Sequence, residues 1–320
     1  IEVTQYRVAK RSCVARALMA AARNGKIVTV VVEPQARFDE EANIQWAGRY
    51  RDAGVRVVLG VQGLKVHSKL VLITRREAGK TRYYSALGTG NFNEDTASVF
   101  ADHMLLTNNQ EIGEDVNAIF RFAERSYRAP TLQHLKAAPL GLRDFLYSKI
   151  EREVTNHLAG KPARLRLKVN NLSDVETIGR LYRAAEAGLK IELIARSMFS
   201  MITGSTGPGK NIEAVGIVDK YLEHSRILIF ENEGEPEVFL SSADFLPRNF
   251  DSRIETIFPV YEPKLKKQLI EYFDIQFADN VKARVLDADL TNTRRHHERK
   301  KGRKKVRAQF AIEDYLRKLS

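Results

Sequence analysis

The sequence predicts an α/β fold made of two tandem domains, each a mixed sheet flanked by helices. Three observations predict it. Helix and strand patterns alternate through the first 130 residues, which argues for a largely buried sheet covered by helices. Landmarks of that half recur in the second half at a nearly constant offset, the mark of a duplicated domain. Pro130, just after a closing helical pattern, marks the break, so the expected domains are residues 1–134 and 135–320.

Val8 to Arg23 is rich in Ala and Arg, carries Ser12 as an N-cap candidate and stops at Gly25, a helix leading into a strand over 27–33. A loop then carries Arg37. EEANIQWAGRYRDA at 40–53 is an amphipathic helix stopped by Gly54, and the apolar runs at 55–61 and 65–74 read as strands. Tyr83 to Leu87 is a further strand running into Gly88-Thr89-Gly90-Asn91, and 111–128 reads as the closing helix. In the second half a helix over 173–186 leads to a strand at 190–195 and Arg196, and a helix is expected over 212–222. HSRILI at 224–229 then repeats HSKLVL at 67–72, and SSADF at 241–245 repeats GTGNF at 88–92. The pairs Arg37 and Arg196, His67 and His224, and Asn91 and Asp244 lie 159, 157 and 153 residues apart.

Composition narrows the function. Of 320 residues 43% are hydrophobic and 29% charged, a globular balance that excludes a disordered or fibrous chain. No apolar run approaches the roughly 18 residues of a membrane span, and Ile1-Glu2-Val3-Thr4 has neither an initiator Met nor a signal-peptide pattern. The chain therefore reads as soluble and as a segment of something longer. Cys13 is the only cysteine, which excludes a disulfide framework or a cysteine-rich zinc site and fits a reducing cytoplasm. The net charge of +12 points to an anionic partner. Much of it sits in RRHHERKKGRKKVR at 294–307, which reads either as a solvated tail or as a polyanion-binding strip.

In a strand, residues i and i+2 share a face, so His67 and Lys69 are expected side by side, as are His224 and Arg226. Each pair sets an imidazole beside a fixed cation. Two such copies at one cleft would let one imidazole attack phosphorus while the other handles protons, with Lys69, Arg226 and Asn91 on the anionic oxygens. The small residues before Asn91 allow backbone N–H groups close to a phosphate, or simply make a tight turn. Arg7, Arg37, Arg196, Arg248 and Arg253 lie beside the repeat landmarks, and their fork-shaped donors suit an extended phosphate chain. GSTGPGK at 204–210 imitates a P-loop, but Asn211 replaces the magnesium-binding hydroxyl and eight residues separate the loop from its strand, so it reads as a glycine loop.

The duplicated His-x-Lys/Arg segments with small-residue turns resemble the phospholipase D superfamily. The wider context resembles the polyphosphate kinase family within it, through YRVAK at 6–10, ARFDEEANI at 36–44, GLKVHSKL at 63–70, GTGNFNEDTA at 88–97, YLEHSRI at 221–227, SSADF at 241–245, RNFDSRIE at 248–255 and KVRAQ at 305–309. The resemblance implies two tandem phospholipase D-like α/β domains, the C-terminal catalytic part of that family. It implies reversible transfer of the ATP γ-phosphate to inorganic polyphosphate through a phosphohistidine at His67, with His224 as the second active-site histidine and a nucleotide contact. Lys69 and Asn91 complete the catalytic set. Arg196, Arg248, Arg253 and the ring of Phe100 are expected at the nucleotide and phosphate chain, Phe100 standing where the family usually has Tyr. Arg7 and Arg37 match positions to which the family assigns magnesium. Ala86 and Ser197-Met198-Phe199 also depart from the family pattern.

The implied cofactor is magnesium, with ATP and ADP as substrates and polyphosphate as the other partner. A homo-oligomer without a specific nucleic-acid partner is expected, in the cytoplasm, free or peripheral to the inner membrane. Two rivals stay open. A phospholipase D-type phosphodiesterase would use the same histidines but wants an Asp five residues beyond the Lys, where this chain has Thr74 and Glu231. A non-catalytic polyanion-binding module fits the charge and leaves the repeated histidines unexplained.

Overall fold

The computed structural model describes residues 1–37, 39–204, 207–289, 291–295 and 305–319. In chain order the first half holds β1 (Glu2–Gln5), α1 (Cys13–Arg23), β2 (Thr29–Val32), α2 (Glu40–Asp52), β3 (Arg56–Leu59), β4 (Lys65–Val66), β5 (Lys69–Glu77), β6 (Lys80–Gly88), α3 (Glu94–Ala97), β7 (Phe100–Ala101), β8 (Met104–Thr107), α4 (Gln110–Glu124) and β9 (Lys136–Ala138). The second holds α5 (Leu142–Leu158), β10 (Leu165–Val169), α6 (Val175–Glu186), β11 (Ile191–Ala195), β12 (Ile212–Gly216), β13 (Leu222–Glu223), β14 (Arg226–Phe230), β15 (Glu237–Ser241), α7 (Pro247–Asp251), β16 (Arg253–Pro259), α8 (Pro263–Phe277), β17 (Arg284–Val285) and α9 (Ala308–Arg317). The chain divides into two compact units. The first is Ile1–Leu142 with Ser241–Ala243 and Arg248–Phe258, and the second is Arg143–Leu240 with Asp244–Pro247 and Pro259–Ser320.

In the first unit the sheet order is β3-β2-β1-β5-β6-β8. β1 and β2 run parallel, as do β2 and β3, because a helix carries the chain back between them, whereas β5 is antiparallel to β1. Ser12 caps α1 by accepting from the Ala15 N–H, so the helix starts only after it and Val8 to Arg11 stay outside. Val3, Val30 and Val32 of the sheet pack with Leu18, Trp46 and Tyr50 of α1 and α2 in the core. Buried Asn43 of α2 donates to the carbonyls of Tyr6 and Glu33, both at 2.8 Å, which ties together the ends of the two strands that border the site.

The second unit repeats the arrangement. β10 runs parallel to β11 and antiparallel to β14, and β11 runs parallel to β12. The helix expected over 212–222 is not there. Ile212 to Gly216 is β12, paired with β11 from Ile191 opposite Ile212, because its β-branched and small apolar residues fill a sheet position between β11 and β17 that is buried except at Glu213. The glycine loop before β12 thus runs into a strand, not the helix a P-loop opens, and its Ser205 and Thr206 lie outside the described residues.

Strand register also corrects one repeat landmark. Gln5 pairs with Val32 as Val169 pairs with Ala195, so the counterpart of Arg196 is Glu33, not Arg37. The histidine landmark holds: His67 and His224 each fall in the gap between a two-residue strand and a longer one.

Candidate functional site

His67 does not lie inside a continuous strand. The run 65–74 breaks after Val66, and the N–H groups of both His67 and Ser68 donate to the carbonyl of Ile254, at 3.0 and 2.8 Å. Two successive donors on one acceptor form a local bulge that interrupts the strand ladder at His67. The Lys69 ammonium donates to the backbone carbonyl of His67.

The imidazole is placed by residues far away in sequence. β16 runs parallel to β4 with Arg253 opposite Lys65, which brings Glu255 to His67. His67 Nδ1 lies 2.8 Å from Glu255 Oε1 and 2.9 Å from Oε2. Glu255 is fully buried and also accepts from Ser242 Oγ at 2.5 Å and from Asn249 Nδ2. The Arg253 guanidinium is 3.9 Å from the same carboxylate. Tyr6 meets the His67 ring edge-on at 4.7 Å, and Lys69 Nζ and the Arg7 guanidinium lie 5.6 and 5.9 Å from the Tyr6 ring centre.

Burial lowers the His67 pKa to about 3, and Lys69 adds to this while Glu255 opposes it. Burial would raise the Glu255 carboxyl, but His67, Lys69 and the hydrogen bonds outweigh it and hold the group below its ordinary range. At neutral pH His67 is thus a neutral imidazole. Its Nδ1–H is taken by a carboxylate, so the lone pair is on Nε2, the arrangement of an oriented nucleophile or base.

Asn91 follows β6 on a turn fastened from two sides. Thr89 Oγ1 donates to Asp102 at 2.6 Å, and Glu94 Oε1 accepts from the N–H groups of Cys13 and Val14 and from Ser12 Oγ at the start of α1. Asn91 Oδ1 is buried without a hydrogen-bond partner among the described residues. Arg248 and Arg253 border a cleft of about 600 Å³ in the same unit, along with Glu33, Gln35 and Lys65. Half-buried Phe100 opens the two-residue strand β7.

Arg7 and Arg37 do not fit a metal site, since a guanidinium has only donors. Arg7 Nε pairs with Asp39 at 3.2 Å and its Nη2 donates to the Arg37 carbonyl at 3.2 Å. No group of three His, Cys, Asp or Glu suited to a metal occurs among the described residues.

In the second unit, Arg226 Nη1 donates to the His224 carbonyl at 2.7 Å and lies 3.3 Å from ring Nε2. Arg226 pairs with buried Asp244 at 3.1 Å, and although burial would raise the Asp244 carboxyl, this cation holds it well below the usual range. Arg196 Nε donates to the carbonyl of Glu223 at 2.6 Å and to Asn170 Oδ1 at 3.1 Å, and Asn170 Nδ2 donates to the His224 carbonyl at 3.1 Å.

Sequence reasoning missed Glu255, Tyr6 and Asn170. A signal for Glu255 was present, since it is the one carboxylate in the mostly apolar run IETIFPV at 254–260. Of the basic run 294–307, residues 296–304 lie outside the described residues. No described helix is long and apolar enough to cross a membrane.

Residues 1–129 match the family model for polyphosphate kinase C-terminal domain 1 and residues 135–309 that for C-terminal domain 2. The chain is 47% identical over 317 residues to a polyphosphate kinase of Vibrio vulnificus strain YJ016, covering 99% of this chain and 45% of that protein. It is also 47% identical over 319 residues to that of Escherichia coli K12, covering 100% and 46%. The chain thus spans a little under half the length of these relatives. Among solved structures, polyphosphate kinase from Porphyromonas gingivalis superposes with a TM-score of 0.91 at 41% identity, over 99% of this chain and 48% of that one. Phosphatidylserine synthase of Haemophilus influenzae superposes at 0.60 with 9% identity over 99% of this chain and 88% of its own, a likeness of fold alone.

Proposed function

Because this chain belongs to the polyphosphate kinase family, we propose that it is the catalytic part of an ATP–polyphosphate phosphotransferase working through a phosphohistidine at His67. The supporting observation is the His67–Glu255 pair, which fixes a neutral imidazole with Nε2 as its nucleophilic atom. His67 Nε2 attacks the γ-phosphorus, the bond to the bridging β-phosphate oxygen breaks, and ADP leaves. A terminal oxygen of polyphosphate then attacks the same phosphorus and the P–N bond breaks. Glu255 stabilises the positive ring formed in between, as a carboxylate does behind a catalytic histidine. Both steps run in reverse when ADP and polyphosphate are supplied.

Phosphoryl transfer through a loose, anionic transition state depends on positioning and charge. Lys69 and Asn91 are assigned to the transferring group, Arg196, His224, Arg248, Arg253 and Phe100 to nucleotide and chain, and Arg7 and Arg37 to phosphate oxygens. Arg7 and Arg37 would hold the phosphate oxygens of a magnesium-bound nucleotide, where the ion would supply charge neutralisation. Residues 1–134 and 135–320 act as the two catalytic domains of a cytoplasmic homo-oligomer without a specific nucleic-acid partner.

The test is brief exposure of the full-length protein to γ-labelled ATP with magnesium. Acid-labile label is expected on His67, absent in His67→Ala, slower to form by about a hundredfold or more in Glu255→Gln, and chased onto ADP or into polymer. Absence of label in the wild type would refute the mechanism and favour a phosphodiesterase or a binding module.

A further inference from the structure

KVRAQ at 305–309 matches the family, and the proposed chemistry gives it no task. In the second unit it lies along the segment that leads into His224. Arg307 makes two charged hydrogen bonds to Asp219, Nε to Oδ2 at 2.8 Å and Nη2 to Oδ1 at 2.5 Å. The Ala308 N–H, the first of α9, donates to Asp279 at 2.6 Å. The Gln309 amide then acts like a strand partner. Its Oε1 accepts from the Tyr221 N–H at 2.9 Å and its Nε2 donates to the Tyr221 carbonyl at 2.8 Å and to Glu223 Oε1 at 2.9 Å.

Glu223 is where these bonds converge. Its carboxylate, 1% exposed, also takes the Lys168 ammonium at 2.8 Å and Gln276 Nε2 at 2.6 Å. Its carbonyl takes Arg196 Nε at 2.6 Å, and the next residue is His224. One backbone position therefore locates both the arginine and the histidine. The first unit fastens the matching residue, Val66, with reversed polarity, its N–H donating to Glu33 Oε2 at 2.7 Å. Glu33 is the register counterpart of Arg196. The amide clasp on the Tyr221 backbone and the Glu223 carboxylate is thus an addition of the second copy, supplied by the C-terminal helix.

Resting on the kinase reading for what Arg196 and His224 do, we propose that Gln309 is a positioning residue that, through Tyr221 and Glu223, sets where Arg196 and His224 stand. Helix α9 would in this way tune nucleotide affinity without touching nucleotide. Removing three hydrogen bonds from one loop releases it without disturbing the His67 pocket, none of whose partners includes Gln309.

The test compares wild type and Gln309→Ala full-length protein by two readouts, diethyl pyrocarbonate modification of each histidine followed by peptide mass spectrometry, and ATP affinity. His224 is expected to react about threefold faster or more while His67 keeps its rate, and ATP to bind about tenfold more weakly. The Arg196→Ala/Gln309→Ala double variant should lose less affinity than the two single losses added together, since part of the Gln309 effect passes through Arg196. An unchanged His224 rate, equal acceleration of both histidines, or full additivity would overturn the inference. If Gln309→Ala does not fold, Gln309→Met keeps the volume and decides it. Failure of the wild type to bind ATP would count against the kinase reading alone, and the two histidine rates would still decide the positioning role.

Discussion

His67 is neutral because it is buried, and its orientation comes from a carboxylate 188 residues away in sequence. That combination makes stability depend on pH with a definite sign. In the unfolded chain His67 titrates near 6.5, while in the fold burial lowers it to about 3, so between these values only the unfolded chain binds the proton. Stability therefore falls as pH drops below 6.5, by up to about 1.4 kcal/mol per unit from this residue. Glu255, held below its ordinary 4.5, adds in the same direction at still lower pH. His67→Gln removes the first contribution, so urea unfolding at neutral and mildly acidic pH should show a smaller loss in the variant; equal losses would contradict the buried neutral state. The histidine itself was legible as a member of a repeated pattern. Glu255 was not identified, because the sequence shows only a charged residue in an apolar strand and no partner.

At the scale of elements, the turn carrying Asn91 depends on a glycine for a steric reason. A Cβ on Gly90 would lie 2.0 Å from Asp102 Oδ2 and 2.9 Å from Asp102 Cβ, and Asp102 cannot swing aside freely because Thr89 Oγ1 holds its other oxygen at 2.6 Å. Gly90→Ala is thus expected to destabilise the protein by about 1–3 kcal/mol and to lower turnover more than ATP affinity, measurable by thermal unfolding and steady-state kinetics. A variant with wild-type stability and turnover would show that the turn relaxes at no cost. The sequence marked α1, α2, α4 and α6 within a few residues, since caps and amphipathic spacing are local signals. It failed at 212–222, where pairing with β11 overrides a pattern that local periodicity left ambiguous, and at His67, where alternation continues through a bulge made by Ile254.

Over the whole molecule, the net charge of +12 bears on how a polymeric anion is held. If the five arginines assigned to phosphate each neutralise one charge, the logarithm of polyphosphate affinity should fall against the logarithm of salt with a slope of about −3.5, by analogy with single-stranded nucleic acid. Titration of labelled polyphosphate over about a tenfold range of salt checks this, and a flat response would rule out the electrostatic account. By itself the sequence determined the α/β class, the duplication, the two histidines and the basic character, because periodicity, repetition and composition are properties of the chain in order. Only the tertiary structure decided that Glu255 orients His67, that Glu33 and not Arg37 is the counterpart of Arg196, and that Gln309 holds the approach to His224. Each of these depends on how segments distant in sequence pair, through strand register and long-range hydrogen bonds that no local pattern encodes.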